Sequence, residues 1–113
     1  MADPCRGEVW LADLGATRGH EQSGRRPVLV LSVDPFNSGP AGLVIVLPLT
    51  STFRGVRAHI PVTPPERGLR RPSVILCDPI HSVTKDCLLG HWGAVSAATL
   101  AKVEDAVRVL LGL

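Results

Sequence analysis

Apolar and polar positions alternate along much of the chain in short runs, separated by glycine, proline and small polar residues. In Glu8-Val9-Trp10-Leu11-Ala12-Asp13, Val9 and Leu11 fall on one side of an extended segment and Trp10 on the other, the period-two pattern of a strand. Trp10 is expected in the core. Gly15 ends this strand, and from Gly15 to Arg26 no periodicity survives. Glycines at 15, 19 and 24 stand there among Thr17, Arg18, His20, Glu21, Gln22, Ser23 and the paired Arg25 and Arg26, which predicts a polar loop of functional length. Pro27–Ser32 and Leu43–Leu49 are continuous runs of branched residues and Leu, as expected of buried, neighbouring strands. The loop between them holds Asp34, Pro35, Asn37, Gly39 and Pro40. Thr50-Ser51-Thr52 reads as a polar break after the second run. Arg57–Val62 predicts a short edge strand, stopped by Pro64, Pro65 and Gly68, and Ser73–Leu76 and Leu88–Val95 predict two more, with His81–Asp86 as a polar connection.

Only the last segment has helical spacing. Ser96 is placed to cap a helix whose apolar positions are Leu100, Val103, Val107, Leu110 and Leu111, with Val95 and Leu100 as a hydrophobic staple and Gly112 as the stop. About six short strands followed by one amphipathic helix describe a mainly β fold, a small antiparallel barrel capped by a C-terminal helix. No repeat, linker or composition shift divides the chain, so residues 1–113 are expected to form a single domain around one core.

Composition narrows the class. With 45% hydrophobic and 19% charged residues the chain is too apolar for disorder, yet it has no apolar run long enough to span a membrane. The N-terminus does not resemble a signal peptide, so a cytoplasmic location is expected. Cys5, Cys77 and Cys87 are odd in number and lack a CxxC pair, which suits neither a disulfide framework nor a zinc site. A net charge of +2 does not announce a nucleic-acid binder, but ten of the twelve basic residues are Arg, whose planar fork pairs with phosphate through two bonds.

Signatures of nucleotide, metal or serine-hydrolase chemistry are missing, so no cofactor and no metal are expected. What remains is a loop with Glu21 and Arg26 five residues apart, and the hydroxyl cluster of Thr50, Ser51 and Thr52. If the strand starting at Pro27 pairs antiparallel with the one ending at Leu49, both groups emerge at the same edge of the sheet. A carboxylate, a guanidinium and a hydroxyl in one place suit cleavage of RNA by its own 2′-hydroxyl, although a loop Glu and Arg more commonly form only an exposed ion pair. Phe53 is the aromatic best placed to stack on a base, and Arg54, Arg57, Arg67, Arg70 and Arg71 form a candidate phosphate-binding rim. His20, His59, His81 and His91 do not cluster at ligand spacing; His20, beside Glu21, is a candidate acid.

Three segments together resemble the MazF/PemK/Kid toxins, a family of mRNA interferases: Gly7–Leu14, then Gly19-His20-Glu21-Gln22-Ser23-Gly24-Arg25-Arg26-Pro27 running on to Ser32, then Leu47-Pro48-Leu49-Thr50-Ser51. The similarity continues through Ser73–Asp78 into the final helix. The resemblance implies an SH3-like barrel with a C-terminal helix, a homodimer, a MazE-like antitoxin partner and single-stranded RNA as substrate. It implies that Arg26 and Thr50 are essential and that Glu21 takes part in binding or proton transfer. The reaction implied is transesterification to a 2′,3′-cyclic phosphate and a 5′-hydroxyl. An Arg side chain, with a pKa above about 12, is a poor base, so Arg26 is assigned to charge stabilisation and Glu21 to the base. Gln22 and Ser51 join Phe53 and Arg54 as RNA-contact candidates.

One segment departs from the family. Where many members carry an acidic residue, Gln, and an Arg two residues further, this chain has Asp78-Pro79-Ile80-His81, so Asp78 and His81 are the candidates for RNA contact there and an unusual cleavage sequence is expected. The alternatives are a CcdB-like toxin that binds a topoisomerase without cutting nucleic acid, and a degenerate homologue that only binds its antitoxin. Against the first, the helix ends in Val109-Leu110-Leu111-Gly112-Leu113 with no aromatic anchor.

Overall fold

The computed structural model describes residues 3–15, 24–51, 59–62 and 72–113. Seven strands and a C-terminal helix account for most of them: β1 (Glu8–Asp13), β2 (Arg25–Val30), β3 (Leu43–Thr50), β4 (His59–Val62), β5 (Ser73–Leu76), β6 (His81–Thr84), β7 (Leu88–Ala94) and α2 (Ala97–Leu111). A four-residue helix α1 (Asp34–Asn37) lies between β2 and β3. Every pairing is antiparallel, in the order β4-β5-β3-β2-β1-β7, with β6 also on β3.

β3 is the axis of this sheet. One edge pairs with β2, and the other pairs first with β6, where Val46 faces His81, and then with β5, where Leu49 faces Ile75. Between β5 and β6 the chain leaves the ladder over residues 77–80. Pro48 occupies the point on β3 opposite this interruption. Leu31 N–H donates to Ile45 O across β2–β3, so the odd-numbered pairs exchange hydrogen bonds there and Pro48 turns its nitrogen away from β2, toward the gap where no donor is required.

Alternation along the strands builds two apolar clusters, one on each face, where a single core was expected. Val9, Leu29, Leu47, Leu49, Val62, Ile75, Cys77 and Val103 of α2 form the first; Trp10, Ala12, Val28, Val30, Val44, Val46 and Leu88 form the second. Trp10 is buried, as its pattern predicted.

α2 begins where Ser96 accepts a hydrogen bond from Thr99 N–H (3.1 Å) and ends at Gly112, whose φ of 70° is left-handed. Val103 is its buried anchor, with Ala106 and Val107 against the first cluster. Leu110 and Leu111, expected on the buried stripe, are exposed, because the packed positions end a turn earlier. Arg6 ties the helix to the sheet, bonding both Leu31 O and Glu104, while its own N–H donates to Asp34 Oδ1 (2.7 Å). Next to it Gly7, at φ 89°, donates to Val30 O and accepts from Val95 N–H, a position where the left-handed backbone favours glycine.

Asn37, fully buried at the end of α1, is hydrogen-bonded throughout. Its amide donates to Pro4 O (3.1 Å) and Ser32 O (2.9 Å), and its oxygen accepts from Ser32 Oγ, which in turn accepts from Ile45 N–H (2.9 Å). This network pins the β2–α1–β3 connection, so that polar burial there carries no unpaired group.

Leu29→Ala should cost about 2–5 kcal/mol, since the fully buried side chain leaves a cavity between β2 and the helix. Val109→Ala, on the exposed end of α2, should stay within about 0.5 kcal/mol of wild type. Urea midpoints measured at constant slope separate the two.

Candidate active site

The register brings two of the candidate residues together. β2 faces β3 with Val28 opposite Pro48, Leu29 opposite Leu47 and Val30 opposite Val46. Carried two residues further, the same register sets Arg26 opposite Thr50, at the same end of the sheet. Arg26 is therefore within a strand, not at the end of the preceding loop as expected, and Thr50 closes β3 where a polar break was expected. On the other side of Arg26 stands Ala12 of β1, and on the other side of Thr50 stands Val74 of β5.

Both residues project from the face that carries Val28, Val30 and Val46, so they extend the second apolar cluster with polar groups. The even-numbered β2–β3 pairs are those without mutual hydrogen bonds, in which opposed side chains lie closest. Pro27 has no N–H to give Leu49, which explains why the bonded ladder stops short of Arg26 and Thr50. Arg26 and Thr50 are half-buried and Ser51 is exposed.

The hairpin leading into Arg26 is closed at its base. Leu14 N–H donates to Gly24 O (3.0 Å) and Gly24 N–H to Gly15 O (2.8 Å), while Asp13 stands opposite Arg25. Glu21, Gln22 and His20 belong to the segment between these glycines and lie outside the described residues, as do Phe53, Arg54 and the remaining arginines of the expected rim.

Asp78 and His81 are set apart from the Arg26 and Thr50 pair. His81 opens β6 opposite Val46, four residues along β3 from Thr50, or roughly 13 Å at strand spacing. Asp78, in the segment before it, has Oδ1 3.5 Å from Nε2 of His59, a β4 residue that the sequence pattern did not single out. The thiol of Cys77 next to Asp78 is buried, and desolvation, with a smaller effect of the Asp78 charge, pushes its pKa up to about 11. Among the described residues no three His, Cys, Asp or Glu side chains gather as a metal site would require, and no helix is long and apolar enough to cross a membrane.

The family model for PemK-like, MazF-like toxins of type II toxin-antitoxin systems matches residues 5–111. The chain belongs to that family. It is 33% identical to endoribonuclease MazF9 of Mycobacterium tuberculosis over 113 residues, covering 96% of each chain. Among solved structures, the crystal structure of MazF from Deinococcus radiodurans superposes with a TM-score of 0.86 at 31% identity over 100% of both chains. A mycobacterial endoribonuclease in complex with its cognate antitoxin superposes with a TM-score of 0.81 at 30% identity, covering 97% of this chain and 96% of that one. The expected fold, an antiparallel β structure with a C-terminal helix of the MazF type, is therefore the observed one.

In this MazF-like toxin the register makes a direct geometric prediction. Cysteines introduced as Arg26→Cys and Thr50→Cys should be joined by a short thiol-bridging reagent, whereas Arg26→Cys with His81→Cys should not. Peptide mapping by mass spectrometry reads the outcome, and bridging of the second pair alone would contradict the register.

Proposed function

We propose that this chain is the toxin half of a type II toxin-antitoxin pair, a sequence-specific endoribonuclease that cuts single-stranded mRNA without a metal ion. The observation that carries the reading is the register that sets Arg26 opposite Thr50 at one end of the sheet, in a chain of the MazF-like family. The RNA 2′-hydroxyl attacks the adjacent phosphorus as its proton is removed, the bond to the 5′-oxygen breaks, and a 2′,3′-cyclic phosphate and a 5′-hydroxyl remain. Negative charge accumulates on the phosphate oxygens at the transition state. The Arg26 guanidinium meets that charge with two parallel N–H donors, and the Thr50 hydroxyl orients a non-bridging oxygen.

Glu21, three residues before Gly24 at the base of the hairpin, is assigned as the base, and His20 as the candidate acid for the leaving oxygen. Gln22, Ser51, Phe53, Arg54, Asp78 and His81 are assigned to RNA binding. The partner is a cognate MazE-like antitoxin with an acidic tail that covers the arginine-bearing site, the toxin acts as a homodimer, and the compartment is the cytoplasm.

Arg26→Ala should slow single-turnover cleavage at saturating RNA by roughly 10² or more while weakening RNA binding much less. Arg26→Lys should restore little, because a point charge does not reproduce the planar fork. Thr50→Ser, which keeps the hydroxyl, should be milder than Thr50→Ala. A folded Arg26→Ala chain that cut at the wild-type rate under saturation would remove Arg26 from the chemistry.

A further inference from the structure

The hairpin that leads into Arg26 is closed by a chain of hydrogen bonds in which one side chain takes part. Ala12 and Arg26 are Cα partners across β1 and β2, and the next pair outward of the same kind is Leu14 with Gly24. There Leu14 N–H donates to Gly24 O (3.0 Å), but Gly24 N–H does not return to Leu14; it donates to Gly15 O (2.8 Å). Gly15 N–H in turn donates to Oδ1 of Asp13 (2.9 Å), a side chain that accepts from the backbone two residues on and so holds the turn. Gly15 and Gly24 are both left-handed, at φ 70° and 72°. Arg25 is the Cα partner of Asp13, yet among the described residues no ion pair joins the two, and the carboxylate serves the backbone.

We propose that Asp13 is a positioning residue for RNA cleavage: through Gly15 and Gly24 its carboxylate fixes the end of β2 from which Arg26 projects. On β2 the odd-numbered residues bond toward β3, so the backbone N–H and carbonyl of Arg26 face β1. On that side one pair, Leu14 with Gly24, lies between Arg26 and the neck of the hairpin. Without the Asp13 acceptor, Gly15 N–H turns to water, the Gly15 carbonyl is no longer aimed at Gly24, and the end of β2 loosens as far as Arg26. A guanidinium that must meet transition-state charge with two parallel donors is sensitive to such loosening, since a misplacement of about 1 Å can cost on the order of 10²-fold in rate. Asp13 itself touches no reacting atom; it acts through Arg26.

This inference rests on the ribonuclease reading, and the two fail separately. Single-turnover cleavage at saturating RNA is measured for wild-type chain, Asp13→Ala, Asp13→Asn and Asp13→Glu, with thermal melting and RNA affinity alongside. Asp13→Ala should cut roughly tenfold slower, with affinity and melting near wild type because the position is exposed. Asp13→Asn keeps an acceptor at the same reach and should restore most of the rate, whereas Asp13→Glu keeps the charge, displaces the acceptor and should stay slow. In an Arg26→Ala background Asp13→Ala should add no further loss, since it acts through that side chain. Should Asp13→Ala fail to fold, Asp13→Glu against Asp13→Asn carries the comparison. A folded Asp13→Ala that cut at the wild-type rate, an equal loss in the Arg26→Ala background, or Asp13→Asn as slow as Asp13→Glu would overturn the positioning role while leaving the nuclease intact. Wild-type chain that cut no RNA would sink the nuclease reading and this inference with it.

Discussion

Leu29 faces Leu47 and Val30 faces Val46 across an antiparallel ladder whose side chains repeat every two residues. A slip of β2 by one position would turn Leu29 out of the cluster under the helix and exchange the two faces of that strand. Apolar burial therefore sets the register, and the register sets the site, because Arg26 and Thr50 come opposite one another only when the residues behind them are correctly buried. Each of these core side chains contributes about 1.5–3 kcal/mol of transfer free energy on burial, and a slip would set side chains fitted to one cluster into the other.

Two prolines shape the ends of this ladder. Pro48 lies inside β3 yet costs no bond to β2, since its nitrogen faces the interruption between β5 and β6. Pro27 lies where β2 would donate to β3, and the bonded ladder ends there. The strand ends beyond it carry Arg26 and Thr50 on backbones paired with β1 and β5. Such an arrangement presents both side chains from rigid elements on one face of the sheet. The hydrogen-bonded Asn37 network and the Arg6 contacts hold the opposite end of β2 and β3, so the scaffold is tied where no chemistry is assigned.

Much of this was legible in the chain. Long branched runs marked β2 and β3, period two marked β1, and a capping serine, helical spacing and a terminal glycine marked α2. β6 was not, because His81-Ser82-Val83-Thr84 offers only one apolar residue and gains its place from pairing with β3. α1 was too short for periodicity, and its stability comes from the buried Asn37 contacts. The exposed apolar residues at the end of α2 fit the helical spacing but outrun the surface they were expected to cover. Within the site, Arg26 and Thr50 were picked out by type and motif, while their strand positions depended on pairing that no local signal encodes. His59 carried no signal at all beyond being a histidine in a short strand, since its meaning depends on Asp78, which is brought beside it by β4–β5 pairing.

On the proposed mechanism an arginine and a threonine at the end of one strand pair carry RNA cleavage through the substrate's own 2′-hydroxyl. The most direct measurement is the chemistry of the product ends after a long single-stranded RNA is cut by the purified chain in excess EDTA. Undiminished cleavage is expected, with 2′,3′-cyclic phosphate on one side of each cut and a 5′-hydroxyl on the other. Cleavage abolished by EDTA and restored by magnesium, or products bearing 5′-phosphate, would contradict that mechanism.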